Sequence, residues 1–131
     1  MSSQRLLIRN GFVVSMDPNV GEIPNGDVLV EDGAIVEVGR GLGASEAEEI
    51  DATGMIVMPG FVDTHRHTWQ TPVRGVLPSC TLDHYFAVML GSVGGHYRPE
   101  DVHIGDYAGA LEALNGGVTT LLDWSHISNT P

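Results

Sequence analysis

Two histidines separated by a single residue, His65 and His67, have the spacing that most directly suggests chemistry. Successive side chains of an extended strand alternate between faces, so residues i and i+2 project from the same face. At a rise of about 3.3 Å per residue, the two Cβ atoms would lie roughly 7 Å apart. Two imidazoles leaning together from that separation can each place a nitrogen about 2.0–2.1 Å from one zinc-like ion. The pair therefore predicts a metal site, provided that it ends a strand.

The residues around the histidine pair supply such a strand. Pro59-Gly60 breaks the preceding pattern, and Phe61–His65 then alternates apolar and polar side chains. A second apolar and β-branched run, Val118–Asp123, predicts a buried strand further along the chain. Functional groups gather at the carboxyl ends of parallel strands. This context favours a metal site over the alternative that the two histidines are merely exposed.

Two helices are predicted between these strands. Thr81 can cap a helix over residues 82–90, and the glycines of residues 91–95 should interrupt it. Pro99 can open a second helix, which Asn115-Gly116-Gly117 should end through a left-handed cap. Strand, helix and strand in this order predict a βαβ unit, in which the two strands are parallel.

The first 58 residues predict a different architecture, built from short strands. Turns are predicted at Asn10-Gly11, Asn25-Gly26 and Asp32-Gly33. Residues 39–49 are small, polar and acidic, which predicts a loop, and two short strands, at residues 49–51 and 55–58, follow it. Closely spaced strands without helical periodicity are typical of a small β-sandwich or part of one.

The amino-acid composition limits the classes of partner that the chain could bind. Its 131 residues include 17 acidic and 6 basic side chains, for a formal charge of −11. This charge argues against binding to nucleic acid or to an anionic membrane surface, both of which need clustered Lys and Arg. The single cysteine, Cys80, is interpreted as a passive thiol in a reducing compartment, so we expect a cytoplasmic protein. We expect neither a signal peptide nor a membrane span.

The motif Pro59-Gly60-Phe61-Val62-Asp63-Thr64-His65-Arg66-His67, followed later by Gly116-Gly117-Val118-Thr119-Thr120, resembles the amidohydrolase superfamily. Within that superfamily the sequence is most similar to the branch of cytosine deaminases, guanine deaminases and chlorohydrolases. The resemblance extends over essentially the whole chain, from the strand-rich amino terminus onward.

The resemblance implies an α/β fold, the start of a distorted TIM (β/α)8 barrel preceded by part of a small β-sandwich. Residues 1–58 would belong to the composite sandwich, and residues 59–131 to the first, incomplete βαβ portion of the barrel. His65 and His67 match the two metal ligands on the first barrel strand of the family. Further ligands and the acid–base groups would come from later strands, so no catalytic residue is expected within this segment. Imidazole ligands suit one divalent ion, either zinc or Fe(II).

Three residues near the pair are candidates for binding substrate. Gln70 matches a position that in the deaminase branch often holds a substrate-orienting group, although a loop hydrogen bond would explain it equally well. Trp69 either forms a wall of the pocket or packs beneath the loop. His126 follows the second strand, where it either contacts substrate or bonds to a loop. Arg74 either anchors the same loop or meets substrate.

The implied activity is hydrolysis of a C–N bond other than a peptide bond by a longer protein. Deamination of an aminated heterocycle would follow if a divalent ion lowered the pKa of a bound water from about 15.7 to about 7, giving hydroxide. Cyclic-amide hydrolysis and dechlorination remain alternatives within the superfamily. From other classes, the chain could be a catalytically silent fragment or assembly partner, or a non-enzymatic metal-binding β-module. The expected partners are a small-molecule substrate, the remainder of the same protein and, at full length, a second copy in a homo-oligomer.

Overall fold

The computed structural model describes residues 4–127 of the chain. The chain divides into two compact units, Met1–Pro59 and Gly60–Pro131. The division falls at the Pro59-Gly60 step, where the strand-rich pattern gives way to one of mixed strands and helices. The chain is therefore of mixed α/β class, as the sequence predicts.

The first unit contains one sheet of five strands. They are β1 (Arg5–Val14), β2 (Glu22–Glu31), β3 (Ala34–Gly39), β4 (Glu48–Asp51) and β5 (Ile56–Val57). The order across the sheet is β3-β2-β1-β4, and β5 also pairs with β1. The pairs β1–β2 and β2–β3 are antiparallel, whereas β4 and β5 both run parallel to β1. The long strand β1 thus organises the unit, and its residues Leu7 and Val13 are buried.

The predicted turns at two of the three Asn/Asp-Gly pairs are wrong. Asn10 and Asn25 adopt positive φ angles of 64° and 50°, but they do so inside β1 and β2 rather than between strands. Gly11 and Gly26 lie opposite each other where the register shifts, so these pairs form β-bulges. The left-handed backbone that Asn and Gly accept serves a bulge as well as a hairpin turn. The prediction at Asp32-Gly33 is confirmed, since both residues have positive φ and join β2 to β3.

The second unit contains two strands with helical segments between them. Its elements are β6 (Phe61–Arg66), a 3₁₀ helix (Thr68–Val73), α1 (Leu82–Tyr85), a π-helical segment (Phe86–Val93), α2 (Gly94–His96), α3 (Pro99–Asn115) and β7 (Val118–Asp123). Strands β6 and β7 are parallel, with Phe61 opposite Val118 and Arg66 opposite Asp123. The predicted parallel pairing is confirmed, and the carboxyl ends of both strands lie side by side. The expected burial of β7 is wrong for the described residues, since none of its six residues is buried and Leu122 is 55% exposed.

The helical segments follow the predicted signals at their ends but not in the middle. The hydroxyl of Thr81 accepts a hydrogen bond from the His84 amide, which caps α1. The predicted break at residues 91–95 is wrong, because the helical run continues as far as His96. Gly94 is buried close to Trp69 and Ile127, so tertiary packing outweighs the low helix propensity of glycine there. The end of α3 is confirmed, with Gly117 at a φ of 83°.

The 3₁₀ helix after β6 packs directly on α3. Two glycines of α3 allow this close approach. A Cβ at Gly105 would lie 2.7 Å from the Trp69 carbonyl oxygen, and one at Gly109 would lie 2.8 Å from Thr71 Oγ1. Trp69 is fully buried as a result. Because the 3₁₀ helix begins immediately after His67, this packing fixes where the chain turns away from the histidine pair. None of the helices within residues 4–127 combines the length and apolar character that crossing a bilayer requires.

Candidate metal and substrate site

The two histidines of the sequence motif meet at the carboxyl end of β6. His65 lies within the strand, and His67 follows its last residue with φ −119° and ψ 83°. The ring centroids are 5.1 Å apart, and the ring planes are 82° from each other. The structure therefore brings together the two side chains that the spacing predicts to converge, while a metal between them stays a prediction.

The ring of His67 has a defined hydrogen-bond partner. Its Nδ1 lies 2.7 Å from the backbone oxygen of Trp124, the residue that follows β7. A carbonyl oxygen only accepts hydrogen bonds, so Nδ1 carries the proton and donates it. The Nε2 lone pair is then available to another group. Histidines that bind metals are usually held in this way by an acceptor on their other ring nitrogen.

The carboxyl end of β6 is also tied together by charged groups. Asp63 accepts hydrogen bonds from Arg66 Nε at 2.8 Å and from the His65 amide at 3.0 Å. The hydrogen bond from the Arg66 guanidinium is the main cause of a pKa of Asp63 below its ordinary value of 3.8. The carboxylate is therefore ionised and holds the end of the strand through these hydrogen bonds.

The start of the 3₁₀ helix is fastened to both β7 and α3. Asp123, the last residue of β7, accepts hydrogen bonds from the Thr68 amide at 2.9 Å and the Thr68 hydroxyl at 2.7 Å. The same hydroxyl lies 2.8 Å from Asp106 Oδ1 on α3. Thr68 is buried. These bonds hold the residue next to His67 against two different elements.

His126 and Trp69, two of the predicted substrate-binding residues, lie beside the histidine pair. The His126 ring is 4.4 Å from that of His67, and its Nδ1 accepts a hydrogen bond of 3.4 Å from Trp69 Nε1. Loss of hydration lowers the pKa of His126, and the nearby His67 acts in the same direction. His126 is therefore neutral near pH 7, as an acceptor must be. Trp69 itself is fully buried, so it supports His126 from within the fold.

Gln70, the third predicted substrate-binding residue, lines a cavity of about 340 Å³. Its side-chain Nε2 donates a 2.6 Å hydrogen bond to the hydroxyl of Tyr85. Arg74 lies in the same wall and forms a two-pronged ion pair with Glu112, so it anchors the loop to α3. The cavity is lined by Arg66, His67, Gln70, Thr71, Val73, Arg74, Gly75, Leu77, Tyr85, Met89 and Glu112.

Sequence reasoning missed two residues of this site. Tyr85 falls within the helix predicted for residues 82–90, and Trp124 follows the predicted strand Val118–Asp123, but neither is predicted to contact the site. Neither contact has a local signal, because Gln70 and Tyr85 are 15 residues apart and His67 and Trp124 are 57 apart. The position of Trp124 directly after a strand parallel to β6 is the one clue that could have identified it.

The described residues do not complete a metal site by themselves. Within residues 4–127, no group of three or more His, Cys, Asp or Glu side chains is arranged to hold an ion. Two imidazoles leave at least two positions of a tetrahedral ion without a protein ligand.

Comparison with known proteins identifies relatives of the whole segment. A sequence model described as "Amidohydrolase family" matches residues 56–128, more than half of the chain. The 5′-deoxyadenosine deaminase of Methanosarcina acetivorans is 34% identical over 118 residues, which cover 90% of this chain and 27% of the relative. The 5-methylthioadenosine/S-adenosylhomocysteine deaminase of Symbiobacterium thermophilum is 40% identical over 92% of this chain and 28% of the relative.

A solved structure has the same fold over nearly all of the chain. The atrazine chlorohydrolase of Arthrobacter aurescens TC1, complexed with zinc, superposes with a TM-score of 0.81 at 31% identity and covers 90% of this chain. This chain in turn covers 28% of that structure. The segment thus spans a little over a quarter of the length of the proteins it matches.

Proposed function

Because the chain belongs to the amidohydrolase family, we propose that the whole protein hydrolyses a C–N bond other than a peptide bond, by deaminating an aminated heterocycle. The observation that carries the proposal is the convergence of His65 and His67 beside a cavity at a strand end. The deaminases at 34% and 40% identity support this reaction class. The product pair would be ammonia and the corresponding oxo-heterocycle.

The proposed architecture is that of the family. Strands β6 and β7, parallel and joined through α3, would open a (β/α)8 barrel, and the five-stranded sheet of the first unit would form part of a β-sandwich. In such a barrel the active site lies at the carboxyl ends of the strands. His65, His67 and His126 all lie at that end of β6 or β7.

The histidine pair fits a divalent metal ion. Both donors are imidazoles, which suit zinc and Fe(II), and the Trp124 carbonyl provides the outer acceptor that orients His67. The zinc in the chlorohydrolase structure supports zinc over iron. When bound, the ion supplies the Lewis acidity that makes water nucleophilic at neutral pH. The remaining ligands and the acid–base groups would come from parts of the protein outside this segment.

The side chains beside the pair would bind and orient the heterocycle. Gln70 uses Nε2 for its bond to Tyr85, so its Oε1 can accept from a ring N–H or an exocyclic amine. His126, neutral and adjacent to His67, can meet a polar atom of the substrate. Trp69 would act through His126, since its own ring is fully buried.

Dechlorination is the second candidate, favoured by the likeness to atrazine chlorohydrolase. The same histidine pair could serve either reaction, since both replace a leaving group on an sp² carbon of a heterocycle with oxygen from water. The two differ in the leaving group, which is ammonia in one and chloride in the other.

A product assay on the whole protein separates these functions. We expect ammonia release from at least one amino-heterocycle in a panel that includes 5′-deoxyadenosine, 5-methylthioadenosine and cytosine, and no chloride release from atrazine. A chelator should abolish the activity and added zinc should restore it. Undiminished turnover by metal-free protein would contradict the proposal, and chloride release alone would establish the second candidate. The chain of residues 1–131 by itself should be inactive, because its described residues would supply two of the required ligands and no complete metal site.

A further inference from the structure

Trp124 makes four contacts with the segment that carries the histidine pair. Its amide donates to the Arg66 carbonyl at 2.8 Å, and its own carbonyl accepts from His67 Nδ1 at 2.7 Å. Its indole Nε1 donates to the Thr64 carbonyl at 3.0 Å. The indole ring stacks on His65, with centroids 5.2 Å apart and planes 15° from parallel. Trp124 thus contacts both histidines and also the backbone of Thr64 and Arg66.

These contacts restrict different properties of the two histidines, namely the tautomer of His67 and the ring orientation of His65. The carbonyl holds the proton of His67 on Nδ1, which leaves Nε2 as the acceptor or ligand atom. The stacked indole limits the orientation of the His65 ring, which also meets the edge of His67. The indole cannot rotate freely, because its Nε1 donates a hydrogen bond to the Thr64 carbonyl.

Burial does not explain the placement of this side chain. Within residues 4–127 the side chain of Trp124 is 49% exposed, so packing inside this segment contributes little to its orientation. Its indole is instead held by one hydrogen bond and one stacking contact, both with β6. An exposed tryptophan so fixed is suited to orienting the groups that it touches.

We propose that Trp124 is a positioning residue for the histidine pair. Its carbonyl selects the Nδ1–H tautomer of His67, and its indole fixes the ring plane of His65. The part of this inference that concerns metal affinity rests on the proposed function, whereas the part that concerns tautomer and ring orientation does not.

The first test observes the imidazoles without any metal. The whole protein, labelled with ¹⁵N and stripped of metal, is compared with Trp124→Ala and Trp124→Phe at mildly alkaline pH. We expect the Nδ1–H tautomer for His67 and ring-current shifts for the His65 ring protons. Trp124→Ala should remove those shifts, whereas the Nδ1–H tautomer of His67 should persist, because the backbone carbonyl of residue 124 remains. Trp124→Phe should keep part of the shifts, because it retains an aromatic face but not the bond to Thr64.

The second test measures zinc affinity by competition with a chromophoric chelator. Loss of groups that orient metal ligands typically weakens binding by about 10–100-fold, so we expect a loss in that range for Trp124→Ala and a smaller one for Trp124→Phe. Tyr107→Ala, which removes an aromatic side chain that is 63% exposed on α3, should leave the affinity unchanged. Thermal unfolding of each metal-free variant shows whether it is folded.

The outcomes separate this inference from the function on which it partly rests. An Nε2–H tautomer of His67 in the wild type, or unchanged His65 shifts and zinc affinity in a folded Trp124→Ala protein, would overturn the role of Trp124. Absence of both zinc and Fe(II) binding by the wild type, with the expected tautomer and shifts present, would overturn the proposed function and support the positioning role.

Discussion

Asp27 links the bulge of β1 to the loop after β3 from a buried position. The residue is 2% exposed, and its carboxylate accepts hydrogen bonds from the Asn10 amide at 3.0 Å and the Leu42 amide at 2.9 Å. Asn10 is the bulge residue of β1, and Leu42 lies in the loop after β3. The Asp27 side chain therefore accepts hydrogen bonds from two backbone amides that do not take part in strand pairing.

Removing that carboxylate should destabilise the sheet. We expect Asp27→Ala to lower the free energy of unfolding by about 1.5–3 kcal/mol, the usual range for hydrogen bonds to a charged group. Asp27→Asn should cost less, because one acceptor oxygen remains. Chemical denaturation of the whole protein measures both, and the exposed Glu37→Ala serves as the control. Equal stability of Asp27→Ala and the control would contradict this role.

Sequence reasoning predicted the histidines of the candidate site but not the residues around them. His65 and His67 could be predicted because the geometry of one strand decides which side chains share a face. Trp124, Tyr85 and Asp27 could not, because each acts through a bond to a distant part of the chain. Spacing predicts local convergence, whereas partners from other elements depend on the tertiary fold.

The contact between the 3₁₀ helix and α3 is the element-scale feature that most directly supports the site. Gly105 sits beneath the backbone of Trp69, and a Cβ there would approach the Trp69 oxygen to 2.7 Å and its Cα to 3.1 Å. Backbone atoms cannot move aside as a flexible side chain can. Any side chain at this position would push the 3₁₀ helix away from α3, and with it the residues that follow His67.

We expect Gly105→Ala to destabilise the protein by about 1–3 kcal/mol, as overpacking of a filled interior does. The helical glycine Gly95, at which an added Cβ meets nothing within 4 Å, provides a matched control. Gly95→Ala should be neutral or slightly stabilising, because alanine favours the helix. Thermal unfolding of both variants measures the difference. If Gly105→Ala proved as stable as Gly95→Ala, the close approach of the two helices would be wrong.

The negative charge of Asp101 stabilises the amino-terminal end of α3, and protonation at low pH removes this charge. Asp101 accepts hydrogen bonds from the Arg98 amide and guanidinium, and these bonds hold the pKa of Asp101 below 3.8. Because the pKa of Asp101 is lower in the folded protein than in the unfolded chain, its charge stabilises the fold at pH values above the unfolded-state pKa. This stabilisation is lost as the pH falls through the folded-state pKa.

Asp101→Asn should therefore be less stable than the wild type at pH 7, and the difference should shrink as the pH falls below about 4. Urea denaturation of both proteins at a series of pH values provides the measurement. A stability difference that stays constant down to pH 3, or one that grows there, would show that the ion pair with Arg98 is not its cause.

At the element scale, the signals at helix ends were more informative than those inside elements. Thr81 and Pro99 predicted where helices begin because their side chains satisfy or replace the free amides of a first turn. The Asn-Gly pairs in β1 and β2 misled, since a bulge and a turn need the same backbone conformation. Gly94 misled because it packs inside the fold, where an added Cβ would lie 3.3 Å from Ile127, and does not mark a helix break.

At the scale of the whole molecule, each unit shows apolar surface that the described residues leave uncovered. In the first unit, Ile35 and Ile56 are 64% and 67% exposed, and valines of β1 to β3 line an apolar hollow. In the second, Phe61 and Val62 of β6 are 55% and 65% exposed. The chain spans 27% of its deaminase relative in Methanosarcina acetivorans. We propose that the remainder of the protein covers these surfaces and completes the site.

The metal content of the whole protein tests the central claim, that His65 and His67 jointly hold an ion, most directly. Elemental analysis of protein purified without chelators should find about one zinc or iron ion per chain in the wild type. The His65→Ala/His67→Ala double variant, shown to be folded by circular dichroism, should contain almost none. A folded double variant that retains the wild-type metal content would contradict the claim.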